Sequence, residues 1–316
     1  MEDLFDPEPP EPADETQAEH IKLYRHLRES DWCEDERTYL REKMKEFRGL
    51  GLEDPQFVER FPLECGARIW EIRLATTFAN WGWILVPARK RGRGPDFGIQ
   101  CDDGQVMWVE ATVPTAGAET KSDGSRNPDK VRAPTGQVLQ RAEIDRTVML
   151  RYLNAIDSKR RQWARAVKSG AVDEADGFTI AVSGSMVPEG MFESGDGMPR
   201  IIRVLFGVGV PTFQLAIGGA EVTSGGFSQQ PTVRKATGAT VPSRLFLDED
   251  CASEVSAVVF SGSYLKERPE RRGHPPGWDF IFALNPSARR EFPFDAAKCG
   301  RVFYVGLQKD DRRGDK

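Results

Sequence analysis

Apolar residues recur with a helical period between residues 63 and 83. They fall at i, i+3 and i+4 spacings, which predicts an amphipathic helix that ends near Gly82. A longer helix is predicted over residues 142–170, and the charged stretch 20–50 is predicted to be helical as well. The apolar stripe of the first helix consists of Ala67, Trp70, Leu74, Ala75 and Phe78.

Alternation of apolar and polar residues follows this helix. Residues 95–101 and 105–113 are predicted to be two strands joined by a turn at Asp102-Asp103-Gly104. In the second strand Val106, Trp108, Glu110 and Thr112 share one face, and Met107, Val109 and Ala111 share the other. Further strands are predicted over 83–88 (a buried one), 178–184, 201–209, 212–218, 255–262, 278–285 and 301–307.

Helices flanking several strands indicate an α/β fold. We expect a single domain over residues 20–316, with its core at about 67–210 and additional C-terminal strands over 211–310. Residues 115–136 have no apolar periodicity and are predicted to form a long loop, and residues 268–277 also have the composition of a loop. Residues 1–19 are acidic and proline-rich, which predicts an unstructured tail.

The charge of the chain is unevenly distributed. The formal net charge is −5, with 44 basic and 49 acidic residues. Eight of the acids lie in residues 1–19, where there is no lysine or arginine, so the rest of the chain has 44 basic against 41 acidic residues, or +3. The overall acidity therefore does not argue against a nucleic-acid partner.

Several classes of protein are disfavoured by composition. No apolar run approaches the roughly 18–20 residues of a membrane span, and the acidic start has no signal-peptide pattern. The five cysteines are scattered and form no CxxC pair, which favours reduced thiols in the cytoplasm over a disulfide framework or a zinc ribbon. With three histidines in all, chemistry built on a histidine pair or triad is poorly supported. The sequence leaves open whether the chain is a monomer or a homodimer.

Three acidic residues stand in positions that suggest chemistry. Asp96 and Glu110 fall near the ends of the two hairpin strands, so the hairpin can bring both carboxylates to one point. Glu71 lies within the apolar stripe of the preceding helix, and a buried glutamate is rare unless it is paired or bound to a ligand. Carboxylate oxygens are the ligands that Mg²⁺ or Mn²⁺ takes in proteins. The alternatives are an ion pair of Glu71 with Arg68 or Arg73, and a surface role for Glu110.

The order of these residues along the chain resembles that of the motif residues in the PD-(D/E)xK nuclease superfamily. The resemblance rests on "WEIRLA", "GPDFGI" and "WVEATV", and its core covers about residues 67–165. It implies a restriction-endonuclease-like α/β core, a mixed central β-sheet flanked by helices. It also implies Glu71, Asp96 and Glu110 as metal ligands, and hydrolysis of phosphodiester bonds in DNA or, as the less favoured substrate, RNA.

One residue of the family pattern is missing. The lysine expected two residues after the strand acid is replaced by Thr112. Some members of the superfamily carry this lysine on a nearby helix, followed by glutamine three residues later, and Lys159 and Gln162 have that spacing. The resemblance therefore implies Lys159 as the migrated catalytic lysine with Gln162 assisting it. The alternative for Lys159 is an aliphatic stem that lies over apolar surface with its amine in water.

A basic, glycine-rich turn precedes the aspartate motif. Its cations are expected either to contact nucleic-acid phosphates or to be solvated. They are Arg89, Lys90, Arg91 and Arg93. Three hypotheses follow from the sequence: a metal-dependent nuclease, a catalytically inactive nuclease fold that binds nucleic acid or a protein partner, and an unrelated α/β interaction protein whose acidic tail docks on a basic surface.

Overall fold

A computed structural model describes residues 3–88, 94–120, 123–132, 141–190, 198–215, 222–248, 252–293 and 301–303. The α-helices are α1 Glu15–Glu29, α2 Glu34–Gly49, α3 Phe57–Arg60, α4 Cys65–Asn80, α5 Arg141–Lys168 and α6 Arg200–Phe206. The strands are β1 Leu85–Pro87, β2 Phe97–Gln100, β3 Val106–Thr112, β4 Gly177–Ser183, β5 Val208–Leu215, β6 Val222–Gln229, β7 Thr232–Arg234, β8 Thr240–Pro242, β9 Ala257–Ser261, β10 Ile281–Leu284 and β11 Arg301–Phe303. The chain thus forms the predicted α/β fold.

A mixed sheet of seven strands forms the centre of the molecule. Its order is β1-β2-β3-β4-β9-β10-β11. The inner strands β3, β4 and β9 run parallel to one another. The pairs β1–β2, β2–β3 and β9–β10 are antiparallel, and β11 runs parallel to β10. Strands β5 and β6 and strands β7 and β8 form two separate two-stranded sheets. A mixed sheet of this kind, flanked by helices, is consistent with a restriction-endonuclease-like core.

Each face of the central sheet is covered by a helix, and the two faces of β3 hold the residues that the alternation assigned to them. Met107 and Val109 belong to the core on the α4 side, together with Trp70 of that helix. Val106 and Trp108 belong to the core on the α5 side. The two cores fix the register of β3, because a shift by one residue would exchange its two faces.

The predicted hairpin and the helix before it are confirmed. Strands β2 and β3 pair antiparallel and are joined by a turn in which Gly104 has φ +81°. Gly82, just beyond α4, has φ +85°, a left-handed conformation that suits glycine at a helix end. No helix in the described part of the chain combines the length and the hydrophobicity of a membrane span.

One strand prediction was wrong, and another was wrong in the burial that it expected. Residues 200–206 form α6 rather than a strand, because a short apolar run fits a buried helix as well as a buried strand. Arg200 and Arg203 lie three residues apart on this helix, and both bind Asp145 of α5 at 2.7 Å. The predicted buried strand over residues 83–88 is the short edge strand β1, and Ile84 before it is 65% exposed.

The N-terminal region differs from the expected unstructured tail over the described residues 3–19. Helix α1 begins at Glu15 and is capped by the side chain of Asp14. Leu4 and Phe5 are buried, and the ring of Phe5 packs against Tyr24 and Phe61. Two adjacent apolar residues within the acidic stretch thus fix it to the helices. The acids around them pair with cations: Asp3 with Arg41 at 2.6 Å, and Glu8 with Arg28 at 2.5 Å.

Candidate active site

The β2–β3 hairpin places two of the predicted acids side by side. Phe97 is paired with Val109, so Asp96, one residue earlier, lies opposite Glu110. The backbone N–H of Asp96 donates to the carbonyl of Val109 at 3.1 Å, and the Asp96 carboxylate accepts the N–H of Ala111 at 2.7 Å. These bonds continue the ladder beyond β2 and hold the Asp96 side chain at the end of the hairpin.

Helix α5 brings a lysine onto the same point. The Lys159 amine lies 2.5 Å from a carboxylate oxygen of Glu110. It also donates to the side-chain oxygen of Gln162 at 3.4 Å, and the Gln162 side chain hydrogen-bonds Glu110. Glu110 is buried, and the Lys159 side chain is 19% exposed. The amine is therefore engaged with Glu110 and Gln162 rather than directed freely into solvent.

Glu71 approaches from α4 and is held by arginine. It is buried and binds Arg68 at 3.0 Å. Arg68 also lies 3.0 Å from Asp54 and 3.0 Å from Glu64. The ion pair with Arg68 that the sequence left open is thus present. The other candidate partner, Arg73, binds Asp279 at 2.5 Å instead.

One cavity of about 760 Å³ joins these groups. Glu71, Asp96, Glu110, Lys159 and Gln162 all line it. Among the described residues, the lining holds six acids and three basic residues: Glu53, Asp54, Glu64, Glu71, Asp96 and Glu110 against Arg60, Arg68 and Lys159. The described part of the lining therefore carries more carboxylates than cations.

Burial and the closeness of the acids shift the pKa values of the site. Burial, and after it the nearby charge of Asp96, raises the pKa of Glu110 to about 8 against the opposing effect of Lys159. Burial and Asp96 also raise the pKa of Glu71 well above its ordinary value. Burial raises the pKa of Asp96, although Lys159 and the Ala111 N–H oppose the shift. For Lys159, burial favours the neutral amine, but Glu110 and Asp96 outweigh it and raise its pKa.

The donor set fits a hard divalent cation. All three acids offer oxygen ligands, and the excess of carboxylates in a buried site is what such an ion would offset. Among the described residues, no three histidine, cysteine, aspartate or glutamate side chains lie in an arrangement that could hold a metal ion as they stand. In the structure Glu71 and Glu110 are instead turned toward Arg68 and Lys159.

The remaining predictions differ in outcome. Thr112, in the position of the missing lysine, lines the cavity beside Glu110. The basic turn of Arg89, Lys90, Arg91 and Arg93 lies outside the described residues. The ion pairs of Arg68 with Asp54 and Glu64 were not predicted. The i, i+4 spacing from Glu64 to Arg68 was a detectable signal, whereas Asp54 lies in a loop with no pattern around it.

Comparisons of the chain with protein-family models, with curated proteins and with solved structures find no match.

Proposed function

We propose that the protein is a metal-dependent nuclease that hydrolyses phosphodiester bonds in DNA, or less favourably RNA, in the cytoplasm. One observation carries the proposal: α4, β3, α5 and the residue that precedes β2 together contribute three carboxylates, a lysine and a glutamine to a single cavity. Buried carboxylates with raised pKa values, gathered in a cleft beside a lysine, are typical of catalytic sites.

Glu71, Asp96 and Glu110 would hold Mg²⁺ or Mn²⁺. Such an ion supplies a more acidic bound water and neutralises negative charge on a phosphate. The protein's own part is to fix the ligands. Asp96 is anchored by the Ala111 N–H, and Glu110 is fixed within β3. Because their pKa values are raised, these carboxylates release protons when a cation binds, and cation affinity increases with pH.

Lys159 supplies the positive charge that the family pattern places two residues after Glu110. Its raised pKa keeps the amine protonated at neutral pH. A protonated amine beside Glu110 is positioned to stabilise negative charge that develops on the phosphate. Gln162 accepts a hydrogen bond from that amine and orients it.

The test is cleavage of labelled DNA, single-stranded and duplex, with Mg²⁺ or Mn²⁺. Asp96→Ala, Glu110→Ala and Lys159→Ala should each lower the rate by at least about 100-fold. Asp103→Ala is a matched control, because this acid lies in the turn of the same hairpin and its side chain is 57% exposed. Cleavage that persists in the Asp96 and Glu110 variants would refute the assignment of the site.

A second candidate is a nuclease fold that binds nucleic acid without cleaving it. It is favoured by the ion pairs of Glu71 with Arg68 and of Glu110 with Lys159, which provide the carboxylates with cations from the protein itself. Titration calorimetry with Mn²⁺ separates the two candidates. Binding that is lost in Asp96→Ala supports the nuclease, and absence of binding in the wild-type protein supports the inactive fold.

A further inference from the structure

A stacked pair of exposed aromatic rings lies on the loop between β9 and β10. The rings of His274 and Trp278 are 5.3 Å apart with an interplanar angle of 10°. Trp278 is 58% exposed, and His274 is exposed too. Isolated exposed apolar residues are common on proteins and need no explanation. Here two planar rings are parallel and accessible together, which is a more specific arrangement.

The loop that carries the rings is held in shape by its own backbone. The N–H of His274 donates to Pro269 at 3.1 Å, and the N–H of Trp278 donates to Pro275 at 3.2 Å. Gly277 has φ +78°, and a Cβ atom there would come within 2.4 Å of the Trp81 ring. Three prolines, two left-handed glycines and these hydrogen bonds reduce the conformational entropy that the rings would lose on binding a ligand.

The loop segment that carries the rings has more basic than acidic residues. Residues 265–278 contain Lys266, Arg268, Arg271 and Arg272 against Glu267 and Glu270, a net charge of +2 in a chain whose net charge is −5. Lys266 and Arg272 are exposed, whereas Arg271 is bound to Glu36 at 2.6 Å and to Asp35 at 3.3 Å. Exposed planar rings beside cations match the needs of a single nucleic-acid strand, whose bases stack on aromatic rings while its phosphates contact basic side chains.

The same loop is tied to the helix that carries a candidate metal ligand. Asp279, next to Trp278, binds Arg73 of α4 at 2.5 Å and accepts a hydrogen bond from Ser261. Arg73 is buried and follows Glu71 by two residues, about 3 Å along the helix axis and about 200° around it. The ring pair and the cavity are therefore attached to different faces of one rigid element.

We propose that the His274–Trp278 pair is a stacking site for unpaired bases of a single-stranded nucleic acid. The inference deepens the proposed nuclease function, on which it rests for the identity of the ligand, and it makes single-stranded segments the substrate class. A base placed on the exposed Trp278 ring extends the existing stack. Duplex DNA, whose bases already stack on one another, gains nothing from these rings.

The test is fluorescence anisotropy of a labelled oligothymidylate of about 20 nucleotides. It is measured without metal, in EDTA, on the Asp96→Ala protein, so that binding is observed independently of hydrolysis. Trp278→Ala should weaken binding of the single strand by about 5- to 150-fold, whereas Trp278→Phe should stay within about 5-fold of the parent. His274→Ala should weaken it by a smaller factor than Trp278→Ala. Trp32→Ala is the matched control, because Trp32 is 88% exposed on the short turn before α2.

Four results would overturn the inference. They are absence of single-strand binding by the parent, unchanged binding in Trp278→Ala, and a loss in Trp32→Ala equal to that in Trp278→Ala. The fourth is an equal loss of duplex and single-strand binding in Trp278→Ala, which would indicate charge rather than stacking. Thermal melting of each variant checks that it folds. If Trp278→Ala does not fold, the His274→Ala variant and the single-strand preference of the parent decide the matter. The nuclease proposal is judged separately, by cleavage with the wild-type protein.

Discussion

Replacing Glu110 by glutamine should make the metal-free protein less sensitive to alkaline pH. Glutamine keeps the shape of the side chain and its ability to accept a hydrogen bond from Lys159, but it carries no charge. Glu110 has an ordinary pKa of 4.5, and burial together with Asp96 raises it to about 8. An acid whose pKa is raised by folding binds protons more tightly in the folded chain. The wild-type protein therefore loses stability as the pH rises from about 4.5 through 8.

The magnitude follows from the two pKa values. At a pH above both values, a pKa raised from 4.5 to about 8 lowers the free energy of unfolding by about 5 kcal/mol. About 3 kcal/mol of this decrease occurs between pH 5 and pH 8. Glu110→Gln has no such decrease, so over this range its free energy of unfolding should rise by about 3 kcal/mol relative to that of the wild type. Near pH 5 the two proteins should differ far less.

The assay is urea unfolding followed by circular dichroism at pH 5, 6, 7 and 8, in EDTA. Glu174→Gln is the control, since the Glu174 side chain is 68% exposed and pairs with Arg289 on the surface. Its difference from the wild type should be small and nearly independent of pH. Parallel pH profiles for the wild type and Glu110→Gln would refute the reasoning, because they would mean that Glu110 is ionised as easily in the fold as in the unfolded chain.

Three further predictions concern stability. Burial lowers the pKa of His20 to about 4, so the protein should lose about 3 kcal/mol as the pH falls from 6.5 to 4, and His20→Asn should abolish that loss in pH-dependent unfolding. Phe5→Ala should lower the free energy of urea unfolding by about 3 kcal/mol, whereas an unstructured tail would show no change. Asp176 accepts hydrogen bonds from Trp108 at 2.8 Å and from the Val106 N–H at 3.1 Å, so Asp176→Ala should lower the thermal midpoint at a cost of about 1–3 kcal/mol.

The hairpin and α4 were predictable because their signals are local. The turn at Gly104 and the alternation in β3 define the hairpin, and the stripe around Glu71 defines the buried face of the helix. Residues 200–206 gave only a weak signal: the i, i+3 spacing of Arg200 and Arg203 suits a helix, but the apolar residues around them fit a buried strand as well, and all seven residues are buried. This helix packs against α5, which lies far from it in the sequence, and the ion pairs of Arg200 and Arg203 with Asp145 hold the two helices together.

The sequence predicted which residues lie at the candidate site, but it did not determine the ion pairs that they form. Family resemblance selected Lys159, and the structure places its amine on Glu110, 49 residues earlier in the chain. Arg68 was only one of two alternative partners for Glu71, because spacing along a helix does not determine which rotamer an arginine adopts. The bond from Arg68 to Asp54 depends on where the loop before α3 folds back, and this is set by tertiary packing.

The edges of the central sheet have a consequence for self-association. At one edge of the described sheet, β1 has three residues and ends in Pro87, which has no N–H to donate. The inner strands β4 and β9 are buried along their whole length. The edge formed by β1 thus offers few free backbone groups for the strand of another chain to pair with. Short edge strands and proline are the means by which natural sheets avoid edge-to-edge aggregation, so strand length and proline together protect the sheet at this edge.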